Sequence, residues 1–190
     1  MIQIDRQRYA KLLEKIDSML PDSNVIVAID GGCGSGKTTL ANMLQQIYDC
    51  NVFHMDDFFL QPHQRTEERF EEVGGNVDRE RFLEEVLIPL KKGNTIHYRR
   101  FDCGSFSILP EVIIEPKKLT IIEGSYSMHP ELSQYYDFGV FLDIDKSLQK
   151  ERIRKRNSAE LEKRFFDTWI PMEDKYHEKM KVRDRCILHL

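Results

Sequence analysis

This 190-residue sequence lacks paired cysteines, long apolar runs and an excess of positive charge, and each lack removes a class of protein. Its four cysteines, Cys33, Cys50, Cys103 and Cys186, form no C-x-x-C pair and show no interleaved histidine spacing. Neither a zinc site nor a redox dithiol is expected, and free thiols suit a reducing compartment. No stretch approaches the length of a membrane span, and the first residues, M-I-Q-I-D-R-Q-R-Y, contain no apolar core of signal-peptide length. The expectation is a cytoplasmic protein with no membrane partner. Lys and Arg number 28 against 32 Asp and Glu, a formal charge of −4 with the two signs mixed along the chain. That balance lacks the basic footprint of a nucleic-acid binder. No internal repeat or low-complexity segment is present, so residues 1–190 read as one domain.

What is present is organised around residues 25–40, V-I-V-A-I-D-G-G-C-G-S-G-K-T-T-L. A short apolar run reads as a buried strand, a glycine-rich turn follows, and an apolar-periodic segment opens a helix. Gly31, Gly36, Lys37 and Thr38 fill the pattern G-x-x-x-x-G-K-[ST], with Gly32, Cys33, Gly34 and Ser35 inside it and Thr39 just after. Glycines let successive N–H groups turn inward round phosphate oxygens, and the helix points its positive end at the same anion. Lys37 would reach the β- and γ-phosphates, and the Thr38 hydroxyl would ligate Mg²⁺. The expected ligand is a nucleoside triphosphate, ATP, with Mg²⁺. A positive loop would also favour the Cys33 thiolate, so alkylation there should block ATP binding; burial beneath the loop is the alternative.

Along the rest of the chain, residues 5–20 have helical spacing, and a helix over about 38–47 leads to a strand at 51–55. Asp56-Asp57-Phe58-Phe59 follows. If that strand neighbours the first, Asp56 lies beside the γ-phosphate, where it could take the proton of an attacking hydroxyl. Residues 61–77 form a long polar flap with Gly74-Gly75. Asp78 then opens a helix to about Leu87, as its N-cap or as a substrate contact. Residues 95–101 and 112–114 predict a small hairpin excursion within about 95–115. A strand over 119–122 ends at Glu123, where a Walker-B carboxylate belongs, while Asp143 and Asp145 suit a strand end and a helix cap. The basic run 150–156 reads as an exposed helical face or as an arginine lid, about 150–164, that Arg164 could join. A helix from Phe165 to about Lys181 and a strand at 186–190 close the chain.

The order of these motifs resembles the uridine kinase-like family of P-loop small-molecule kinases, which includes nicotinamide riboside kinases and phosphoribulokinase. H-M-D-D-F-F is similar to the family's aspartate-plus-aromatic signature, which implies that Asp56 is the base, with Asp57 beside it at the acceptor. G-N-V-D-R-E-R-F is similar to its N-x-D-x-P-x-A-F element, which implies that Asp78 holds ribose hydroxyls. The resemblance further implies nucleobase contacts from Tyr98 to Phe106, metal binding by Glu123, and a lid carrying Arg152, Arg156 and Arg164. Phe106 stands where uridine kinases read the pyrimidine with a histidine, and F-F-D-T-W-I-P-M-E-D-K-Y looks closer to nicotinamide riboside kinases.

The implied fold is α/β, the three-layer P-loop NTPase fold, with a mostly parallel five-stranded sheet and helices on both faces. The implied activity moves the γ-phosphoryl of ATP to a hydroxyl of a small molecule, with a nucleoside 5′-hydroxyl as the expected acceptor. Nicotinamide riboside or another non-pyrimidine acceptor is the alternative. A nucleotide-dependent switch or ATPase controlling a partner is the rival class, although no N-K-x-D element for guanine is present. A homo-oligomer is also compatible with the family.

Overall fold

The computed structural model describes residue 7 and residues 9–190. The first helix is α1, Ala10–Met19, which buries Leu12 and Ile16; residues 5, 6 and 8 of its expected span lie outside the described residues. Next comes β1, Val25–Gly31, buried at every position. Side chains alternate between the two faces of a strand, so one buried strand feeds two cores. Val25, Val27 and Ile29 pack with Leu12 and Ile16 of α1 and with Leu40 and Leu44 of α2 (Lys37–Ile47). Ile26 and Ala28 face the other way, among Phe53, Phe58, Phe82 and Tyr98. Three layers result.

Beyond α2 the chain runs through β2 (Cys50–His54), a 3-10 turn (Met55–Phe58), α3 (Glu67–Glu71), α4 (Arg79–Phe82), a π turn (Leu83–Leu87) and α5 (Ile88–Lys91). The antiparallel hairpin β3 (Ile96–Asp102) and β4 (Ser107–Ile114) is followed by β5 (Leu119–Glu123), α6 (Pro130–Ser133), β6 (Phe138–Leu142) and α7 (Lys146–Arg156). Then come α8 (Ala159–Arg164), a second π turn (Phe165–Trp169), α9 (Ile170–Lys179), α10 (Val182–Arg185) and β7 (Leu188–His189). In both π turns an N–H reaches back five residues, Ile88 to Leu83 O and Ile170 to Phe165 O. A proline follows each time, Pro89 or Pro171, and its missing N–H removes the bond that would hold the ordinary ladder.

The sheet order is β2-β5-β1-β6-β7, five strands as expected, with every pairing parallel. One condition is corrected: β2 neighbours β5, and β5 separates it from β1. The Asp56 turn still leaves the sheet at the loop's edge, because Ile29 and His54 are both in register with Glu123. Three local spans also differ. β4 begins at Ser107, well before 112, since this outlying strand is largely exposed and shows no apolar alternation. The flap has structure of its own: Thr66 caps α3, and the Arg69 guanidinium bonds Gly75 O, Val77 O and Glu80. The last strand shortens to Leu188–His189 at the sheet edge.

Candidate active site

The loop between β1 and α2 takes its shape from glycines of positive φ, Gly31, Gly34 and Gly36. Gly31 (φ 141°) lies so close to β6 that a Cβ would sit 2.4 Å from Leu142 O, and Gly36 (φ 105°) turns the chain into α2. No side chain caps α2 and no acid lies in its first turn, so the N–H groups there remain free for an anion. Ser35 Oγ is buried without a hydrogen-bond partner. Lys37 folds inward, its Nζ donating to Gly31 O at 2.7 Å and Gly32 O at 3.1 Å. Bare amides, a buried hydroxyl and a nearby ammonium fit a phosphate group.

Cys33 corrects an expectation. Its thiol is buried, and burial first, then the Glu173 charge, pushes it up to about 12 against the pull of Lys37. The thiolate is therefore disfavoured in spite of the positive loop. Alkylation near neutral pH is expected to modify the exposed Cys103 before Cys33, read by peptide mass spectrometry.

Glu123, buried at the end of β5, accepts from Thr38 Oγ1 at 3.0 Å, and His54 Nδ1 lies 2.6 Å from the same carboxylate oxygen. The bond to Glu123 raises the His54 pKa against its own burial. Thr38 and Glu123 are hard oxygen donors, and Mg²⁺ takes one or two such protein ligands with phosphate and water completing its shell. The pair thus fits the expected ion.

Asp56 is the second residue of the 3-10 turn, exposed on the loop side of the sheet but with Glu123, Lys37 and Glu173 close enough for their charges to act on it. Surrounding protein first, and then the Glu123 charge, raise its pKa, with Lys37 pulling it down. A base must be ionised to act, so activity carried by Asp56 is lost as pH falls through this raised value. The acid limb of kcat/KM is accordingly expected above the ordinary aspartate pKa, measured as a pH–rate profile.

The phenylalanines after Asp57 tie the turn to the next helix. Phe58 O accepts from Asp78 N–H, and Phe59 bridges Val77. Asp78 is the N-cap of α4, one oxygen taking Arg81 N–H at 3.2 Å and the other Arg81 Nε at 3.1 Å. Both side chains are buried, and Arg81 also donates to Asp57 O and Arg99 O. The carboxylate expected to grip ribose is therefore already engaged by Arg81. Tyr98 is likewise a core residue, stacked on Phe58 and edge-on to Phe53. Phe106 is half-exposed at the hairpin tip, with the Arg65 guanidinium 4.4 Å from its ring centre. Asp57 has its pKa raised by burial, eased by Arg100, whose Nε lies 3.8 Å away.

The comparisons with known proteins follow this geometry. Residues 26–161 match the model of the Phosphoribulokinase / Uridine kinase family. The chain belongs to that family. It is 27% identical over 185 residues to a uridine kinase of Chlamydia pneumoniae, covering 87% of this chain and 81% of that one. It is 25% identical to a phosphoribulokinase of Synechocystis over 147 residues, 73% of this chain but 43% of that protein. A solved structure described as a possible uridine kinase from Bacillus stearothermophilus superposes with a TM-score of 0.76 at 25% identity, covering 97% and 98% of the two chains. The protein is a P-loop small-molecule kinase of this family.

Of the arginines expected in a lid, Arg152 reaches the loop, its Nη1 donating to Gly34 O at 2.8 Å. Arg156 is near enough for its charge to act on Cys33, and it lies over Phe165. Arg164 instead stacks on Trp169, 5.3 Å from its ring centre. Asp145 caps α7 and Asp143 pairs with Arg183, leaving Glu123 as the strand-end acid at the loop. The sequence reading missed His54, Arg81, Asp30 and the α9 residues Glu173, Tyr176 and His177. A usable signal existed for the last three: spacing of i, i+3 and i+4 puts them on one helix face.

Proposed function

We propose that this kinase transfers the γ-phosphoryl group of ATP to a hydroxyl of a small acceptor, with Asp56 as the general base. The carrying observation is an aspartate, its pKa raised, in the turn that leaves β2 at the same sheet edge as the phosphate-binding loop. Lys37 and the loop amides hold the phosphates, Thr38 and Glu123 hold Mg²⁺, and Arg152 closes against the loop. Bound Mg²⁺ would neutralise charge on the transferring group. Asp56 receives the acceptor proton, which makes the oxygen a better nucleophile as the bond to phosphorus forms.

The relatives' names favour a nucleoside 5′-hydroxyl as acceptor. The engagement of Asp78 by Arg81 favours the second reading, an acceptor other than a pyrimidine nucleoside. Incubation with Mg·ATP and uridine, cytidine, nicotinamide riboside, pantothenate or sugars, followed by mass spectrometry, separates them. Phosphorylated uridine or cytidine supports the first, and phosphorylated nicotinamide riboside, pantothenate or sugar the second. ATP hydrolysis with no phosphorylated acceptor in any reaction supports the switch or ATPase class instead.

A further inference from the structure

Helix α9 presses one face against the start of the phosphate-binding loop. Glu173 Oε2 accepts the Cys33 N–H at 2.7 Å, and its Oε1 accepts from Ser125 Oγ at 2.7 Å. Ser125 Oγ is in turn 3.4 Å from Lys37 Nζ. One turn on, Tyr176 Oη donates to Asp30 Oδ2 at 2.8 Å, and His177 Nε2 lies 3.3 Å from the other oxygen. Asp30 is wholly buried and accepts from Gly31 N–H at 2.7 Å and Met128 N–H at 2.9 Å. The amides of Gly31 and Cys33, two residues apart in the loop, therefore both hang on carboxylates attached to α9.

Burying a carboxylate is costly unless its hydrogen bonds are made, and those of Glu173 go to the loop and to the residue beside the Lys37 ammonium. We propose that Glu173 is a positioning residue for phosphoryl transfer. By holding Cys33 N–H and Ser125 Oγ, it fixes the first half of the loop and the resting place of Lys37 against which the γ-phosphate must be aligned. This rests on the kinase reading above. α9 also continues from the lid through the second π turn, so the tether joins the lid segment to the loop.

The test compares Glu173→Ala and Glu173→Gln with the wild-type chain in acceptor-dependent turnover, Mg·ADP affinity and the rate of Cys33 alkylation. Glu173→Ala is expected to lose kcat by about tenfold or more while Mg·ADP affinity stays within about threefold, because alignment rather than holding is lost. Glu173→Gln keeps an oxygen for Cys33 N–H and is expected to recover most of kcat. Both variants should alkylate faster at Cys33, since the charge that raises its thiol is gone. Unchanged kcat in Glu173→Ala, or losses in kcat and nucleotide affinity that match, overturns the proposal. Wild-type protein without turnover counts against the kinase reading instead. In that case Cys33 alkylation decides the tether alone: an unchanged rate in Glu173→Ala overturns it.

Discussion

Asp56→Asn is expected to lower acceptor-dependent turnover by about 10²–10⁴-fold while the Kd for Mg·ATP stays within about threefold. Asparagine keeps the size and polarity of the side chain but cannot take a proton. The proposed phosphate contacts come from Lys37 and the loop amides at the start of α2, which the substitution leaves in place. A second signature follows from linkage. The folded state raises the Asp56 pKa, so its contribution to stability is full below the unfolded value and is lost as pH rises through the folded one. At neutral pH the charged aspartate therefore weakens the fold, and Asp56→Asn should raise Tm. That gain should vanish in acid below the ordinary aspartate pKa, where the wild-type side chain is also neutral. Thermal melts at the two pH values check the sign, and a lower Tm at neutral pH contradicts it.

Lys37→Met is expected to reduce kcat/KM for ATP by about 10²–10³-fold. Methionine has nearly the same length and helix propensity, so α2 keeps its start. What is lost is the ammonium bonded to the loop, which rests on Gly31 O and Gly32 O and is 3.4 Å from Ser125 Oγ. Developing charge on the transferred group then lacks the ammonium that the loop holds. Steady-state kinetics with a saturating acceptor measures the loss, and nucleotide binding by titration separates affinity from rate. A Lys37→Met variant with wild-type kcat/KM would remove Lys37 from the mechanism.

The fold was legible because its signals are local. A strand buried on both faces reads as an unbroken apolar run, as in β1, and the glycine pattern after it needs one backbone shape. Thr38 and Glu123 could be paired from the sequence because a loop threonine and a strand-end acid occupy fixed positions on one sheet edge. What was not legible depends on partners distant along the chain. Asp78 carried the same motif whether free or engaged, and only the fold shows that Arg81 occupies its carboxylate and that Tyr98 faces the core. Cys33 looked reactive beside a lysine, yet burial and Glu173, 140 residues away, outweigh that lysine. β4 escaped detection for the opposite reason, since an exposed strand leaves no apolar pattern to read.

The most direct test of the central claim is ADP release from Mg·ATP by the wild-type chain and by Asp56→Asn, each with and without acceptor. Phosphoryl transfer through Asp56 predicts that wild-type ADP release depends on the acceptor and that the variant loses it while still binding Mg·ATP. Equal release without acceptor, at the same rate in both proteins, would contradict it.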